Sequence, residues 1–215
     1  MSTKFIFRTV QNADLPALRD LVTQVFITRE PTCSHLKVST AGFNIIYDAL
    51  MEKMDMKTTI LAQEAEQGEI AAVMVNAPYD ATYDENKIKE GLPFLQVLSR
   101  FNAPFRERVL TPRGIPESRV LHCALGATKA EFEGNGLFIK IMRESLRLAK
   151  KDLRWDLAVG ECTSPITRHV TRDVFGWKEE ASFRLKDFVV DGKKPFEKLE
   201  GEAALVWSDL KKQKL

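Results

Sequence analysis

The chain opens on an alternation. Phe5 and Phe7 fall on one side of a strand over Lys4 to Val10, and Ile6 and Arg8 on the other. The period then lengthens. Leu15, Leu18, Val22 and Val25 recur at helical spacing and predict a helix with one face on a core. Asn12 or Asp14 is placed to cap its start. Pro31 ends it near Glu30, because a residue before proline avoids helical geometry. A second helix is predicted over Val38 to Met54, with Phe43, Ile46, Leu50 and Met54 on one side. Thr58 to Gln63 and Glu69 to Val75 are β-branched, apolar runs around Gln67-Gly68, the pattern of a hairpin.

Asn76 to Ser118 breaks this rhythm. It holds five prolines and a predicted helix over Glu85 to Phe101. Leu92, Phe94, Leu95, Val97, Leu98 and Phe101 make it too apolar for a disordered linker, so it reads as an insertion, partly helix and partly loop. Regularity returns with a strand over Arg119 to Thr128, a helix over Leu137 to Lys151 and a short buried strand over Trp155 to Gly160. Ser164 and Pro165 suit the cap and first position of a further helix ending near Gly176. Strands over Lys178 to Asp187 and Ala203 to Ser208 close the chain. The order β-α-α-β-β-(insertion)-β-α-β-α-β-β predicts an α/β (α+β) fold. It has a mixed sheet of about seven strands flanked by helices, with a helical insertion before the central strand.

Length and composition narrow the class. The 215 residues, 44% hydrophobic, suit one domain over 1–215 with a full core. The net charge of +2 argues against a broad basic field for nucleic acid. Cys33, Cys123 and Cys162 form no CxxC pair, so neither a zinc site nor a disulfide framework is expected. MSTKFIFRTV lacks a signal-peptide core, and no run approaches the length that spans a bilayer. A soluble, cytoplasmic protein with no membrane partner is expected; the oligomeric state is left open.

The most informative segment is LGATKAEFEGNGLFIKIMRESLRLAKK. A strand runs into a glycine turn that opens a helix. Gly134 and Gly136 let backbone amides approach a ligand, and the helix start offers free N–H groups and a positive dipole end. Together these suit a phosphate or diphosphate. Lys140, Lys150 and Lys151 add charge on or near that helix. Taken alone, a GxG turn often just joins strand to helix. It is neither the dinucleotide fingerprint, which needs a third glycine, nor a P-loop, which needs GK[ST].

In its order of elements around this turn, the chain resembles the GNAT superfamily of N-acetyltransferases. There a Q/R-x-x-G-x-G/A turn binds the diphosphate of acetyl-CoA, and the strand before it binds the pantetheine arm. The resemblance implies an acetyl-CoA site at Leu125, Gly126, Ala127 and Thr128 on the strand and at Glu133, Gly134, Asn135, Gly136, Leu137 and Phe138 on the turn. Glu133 stands where Arg or Gln is usual, and Phe138 where Gly or Ala is usual. Three segments are similar to the invertebrate arylalkylamine N-acetyltransferase-like group. They are Val25-Phe26-Ile27-Thr28-Arg29-Glu30-Pro31, Glu161-Cys162-Thr163-Ser164-Pro165-Ile166-Thr167 and Asp191-Gly192-Lys193-Lys194-Pro195-Phe196.

The resemblance implies an N-acetyltransferase acting on a small-molecule amine by direct attack in a ternary complex. A protein or peptide acetyltransferase and a catalytically silent CoA-binding module remain as alternatives. An ammonium substrate must lose a proton, which a carboxylate can accept. Glu30 matches the group's base; read on its own it is a helix-end carboxylate in water. Backbone amides on the 125–128 strand would serve the oxyanion. The tyrosine acid of many GNAT enzymes falls at Arg172, four residues before Gly176, and is absent. Thr163 and Thr167 are the hydroxyl candidates, against ordinary helix-start chemistry; Ser164 reads as a cap. His122 is a back-up base or a structural histidine, on the opposite strand face to Cys123. His35 and His169 read as surface residues, Lys37, Lys53 and Lys57 as solvated, and Phe26, Phe43 and Tyr47 mostly as core.

Overall fold

The computed structural model describes residues 4–80 and 92–213. Its sheet has seven strands in the order β1-β2-β3-β4-β5-β7-β6. These are β1 Phe5–Thr9, β2 Ile60–Glu64, β3 Ile70–Pro78, β4 Val120–Thr128, β5 Leu157–Cys162, β6 Lys178–Arg184 and β7 Glu202–Asp209. β4 and β5 run parallel, and the other neighbours antiparallel.

Side chains alternate across this sheet and meet helices on both faces. On one face Val73, Val75 and Ala77 of β3 pack with Leu18, Val22 and Phe26 of α1 (Leu15–Arg29) and Phe43, Ile46 and Leu50 of α3 (Thr40–Met51). On the other, Ala72 and Met74 meet Leu137 and Ile141 of α6 (Leu137–Lys151). That helix buries Leu137, Ile141, Met142, Ser145, Leu146 and Ala149, a stripe at helical spacing. The insertion covers the second half of the first face. Val97 of α4 (Leu92–Ser99) and Phe105 of α5 (Asn102–Phe105) pack with Leu157, Val159 and Leu205.

Several boundaries move. The first helix begins at Leu15 after a 3₁₀ turn over Asn12–Asp14. Asp14 occupies the N-cap of α1 but makes no side-chain cap, because its carboxylate is taken by the Arg8 guanidinium and the Gln11 amide. The expected helix over Val38 to Met54 is preceded by a separate α2 (Pro31–Leu36). Proline there starts a helix, since its missing N–H has no partner to lose at the first position. β3 continues past Val75 to Pro78 because the Asn76 Nδ2 group finds two acceptors inside, although its Oδ1 has no partner among the described residues. Its side-chain amide donates to the Thr58 carbonyl and to Ser145 Oγ, both at 2.6 Å. The fifth strand starts at Leu157, two residues later than expected. The expected helix from Glu85 lies outside the described residues up to Gly91.

Candidate active site

β4 and β5 pair only at Val120–Leu157, Leu121–Ala158 and His122–Val159, and then part. Their starts are tied. Arg119 precedes β4, Asp156 precedes β5, and the guanidinium donates to the carboxylate at 2.5 Å. Near the parting point β4 carries a bulge. Val75 faces Leu125 and Asn76 faces Cys123, leaving Ala124 unpaired. Beyond it the backbone alternates. The Lys129 amide donates to the Ala71 carbonyl of β3, whereas the Thr128 carbonyl accepts from Arg29 of α1. Gly126 and Thr128 therefore aim their amides at the edge β5 has left, and Leu125 and Ala127 spend theirs on β3. Only half of the expected 125–128 stretch presents backbone to the cleft.

A cavity of about 260 Å³ fills the gap. Phe26, Phe94 and Leu98 wall it from one face, Met74 and Phe138 from the other. Glu30, Glu161, Thr163 and Thr167 supply polar groups. Glu30 caps α2 and is half-buried. One oxygen accepts from the Cys33 amide at 2.6 Å and the Thr32 hydroxyl at 2.7 Å. The other accepts from the Thr163 hydroxyl at 2.5 Å, across 133 residues of chain. Thr163 follows β5, and Ser164 caps α7 (Pro165–His169) through the Ile166 amide. Glu30 and Thr163 are thus brought together, and Thr167 stands on the same wall one helical turn on.

Beneath them His122 Nε2 lies 2.6 Å from Glu161 Oε2, both largely buried. Burial alone disfavours the imidazolium, but the Glu161 charge and its hydrogen bond outweigh that and raise the pKa of His122. Tyr79 stands edge-on to the His122 ring, and burial pushes its phenol well up. Its hydroxyl donates to Asn102, so it does not reach the cavity as an acid. Burial also pushes the Cys123 and Cys162 thiols up to about 12, and Cys33 higher still. Arg172 pairs with Asp173 and does not line the cavity.

At the turn Gly134 and Gly136 have φ of +77° and +65°, and a Cβ on either would meet nothing within 4 Å. The space beside the turn is open. Phe138 does not fill it; its ring lies against β4, where a Cβ on Gly126 would come within 2.6 Å of Cε2. Glu133 is ion-paired with Arg29. Lys140 donates to the Asn135 carbonyl within the turn. Lys150 and Lys151 end α6, about 20 Å along its axis from the turn, too far to serve a phosphate there. His169 is exposed as expected, whereas His35 is half-buried against Phe196.

No protein-family model matches the sequence, and no curated protein matches it either. Solved structures do match in shape. The C-terminal condensation domain of Ebony, in complex with β-alanyl-dopamine, aligns with a TM-score of 0.78 at 20% identity, covering 97% of this chain and 100% of that one. Arylalkylamine N-acetyltransferase 2 from Aedes aegypti aligns at 0.76 and 14%, covering 96% and 99%. YncA from Salmonella typhimurium, a putative acetyltransferase solved with acetyl-CoA, aligns at 0.55 and 11%, covering 97% and 95%. The chain has the GNAT fold. In GNAT terms the parted strands and the turn before α6 are the expected place for the thioester donor. The residues present fit one: the outward amides of Gly126 and Thr128, an open glycine turn, and the amides of the first turn of α6. Glu161 and Arg29 were not singled out by sequence. Each sits in a segment that carries the resemblance, but only the tertiary fold shows that they reach the cleft.

Proposed function

We propose that the chain is an acetyl-CoA-dependent N-acetyltransferase. It moves an acetyl group to a small primary amine of the arylalkylamine kind, acting as one cytoplasmic domain over 1–215. The observation that carries this reading is the Glu30–Thr163 hydrogen bond at the mouth of the parted strands. The fold supports the class of reaction, and the apolar walls at Phe26, Phe94 and Leu98 support an aryl or alkyl substrate. The cavity of about 260 Å³ is large enough for a small amine. No helix of the described chain is long and apolar enough to cross a membrane, and the three cysteines are free, which supports a reducing compartment.

When bound, acetyl-CoA supplies the activated thioester carbonyl. The chain's residues handle the proton. Thr163 donates its hydroxyl to Glu30, so the oxygen lone pairs of Thr163 remain to accept from the substrate nitrogen. The amine proton passes to Thr163 Oγ as the hydroxyl proton passes to Glu30. Thr167 contributes a second hydroxyl on that wall. The Gly126 and Thr128 amides are donors for the oxyanion.

A second reading has one observation in its favour. Glu30 accepts three hydrogen bonds and caps α2, a structural task sufficient by itself. On that reading the chain binds CoA without turnover. An amine and peptide panel with Glu30→Gln separates the two. General-base loss lowers kcat by about 10²-fold or more, with CoA affinity held within about twofold. Equal losses in both would count against Glu30 as the base, and no turnover by the wild type would support the silent module.

A further inference from the structure

We infer that Arg29, reaching over from α1, grips the donor's diphosphate, and that Glu133 holds its place until the donor arrives. This rests on the reading that the cleft takes CoA. The turn residue that usually supplies a positive or amide group is a carboxylate here. A bare Glu133 beside a diphosphate would repel it. Among the described residues, the cavity lining holds three carboxylates, Glu30, Glu133 and Glu161, and a single cation, Arg29. Its guanidinium reaches both the Thr128 carbonyl on the open edge of β4 and the Glu133 carboxylate on the turn. That position lies between the strand and the glycine turn, where a diphosphate fitting the turn would meet it.

Other cations near the turn are engaged. Lys129 pairs with Glu69 and Glu131, and Lys140 bonds the Asn135 carbonyl. Arg29 is 38% exposed and Glu133 52% exposed, so their pair is a weak surface contact. A diphosphate offers the same planar fork more charge and several acceptor oxygens. Glu133 therefore acts as an internal competitor, keeping Arg29 extended across the cleft and yielding it to the donor.

The consequence is a pair of substitutions with opposite signs, measured by calorimetry with CoA and with 3′-dephospho-CoA. Arg29→Ala should weaken CoA binding about tenfold or more. Arg29→Lys, which keeps the charge and loses the fork, should fall between it and wild type. Glu133→Gln should tighten binding about threefold. Both changes should persist with dephospho-CoA, which retains the diphosphate. Unchanged affinity in either the Ala or the Gln variant would overturn the inference. So would weaker binding in Glu133→Gln, since Glu133 would then aid the donor rather than compete with it for Arg29. Effects that vanish with dephospho-CoA would overturn it too, by assigning Arg29 to the 3′-phosphate. Wild type that fails to bind CoA removes the transferase reading as well. Wild type that binds while the variants stay flat removes this inference alone.

Discussion

Thr163 is bonded to Glu30 and still faces the cavity, so it can be tested apart from the carboxylate. Thr163→Val removes the hydroxyl but leaves Glu30 its Thr32 and Cys33 partners. The expected result is a kcat loss of about tenfold or more, restored in large part by Thr163→Ser, read from initial rates at saturating amine. The His122–Glu161 pair predicts a pH effect on stability. The folded pKa of His122 is raised above 6.5, so its contribution is fully present below that value and is lost as pH rises through the folded one. His122→Gln should therefore narrow the difference in urea midpoint between about pH 5 and about pH 8. An unchanged difference would remove His122 as its source. Glu30, Thr163 and Thr167 were nominated by motif, whereas Arg29 and Glu161 carried no local signal. A charge beside a strand or helix end looks the same in sequence whether it faces water or a cleft.

Elements with strong local chemistry were the easiest to read. The helix over Leu137 to Lys151 combines a glycine start with an apolar stripe, and its observed bounds are Leu137–Lys151. α2 was hidden because Pro31 serves as a helix stop and a helix start at once. β3 was cut short because Asn76 looks like a loop residue, yet it is wholly buried and bonded to Thr58 and Ser145. Asn76→Ala should lower stability by about 1–3 kcal/mol, measured by denaturant unfolding, because it strands the Ser145 hydroxyl and the Thr58 carbonyl. Gly126 is a second test at this scale. A methyl there would meet the Phe138 ring, so Gly126→Ala should shift Phe138 and destabilise by about 1–3 kcal/mol. In a Phe138→Ala background, itself destabilised by the lost packing, the further cost of Gly126→Ala should largely vanish.

Across the whole molecule the sheet is fastened at one end of the β4–β5 seam and open at the other. The fastening is acid-sensitive. The Arg119 hydrogen bond, helped by Lys211, holds the Asp156 carboxyl near 2. A depressed carboxyl adds stability above its unfolded value, 3.8, and loses it as pH falls towards 2. Asp156→Asn should flatten the acid side of the unfolding profile between those values, and an unaltered profile would argue that the seam is held elsewhere. The thiols, kept protonated at neutral pH, are poor carriers of an acyl group between reactants. A wall breached between two of its planks has two sides. Phe94 and Leu98 stand on one, Met74 and Phe138 on the other, so the gap is bordered from both faces of the sheet. The proposed direct transfer needs both reactants inside together, so double-reciprocal plots of rate against either one should cross rather than run side by side.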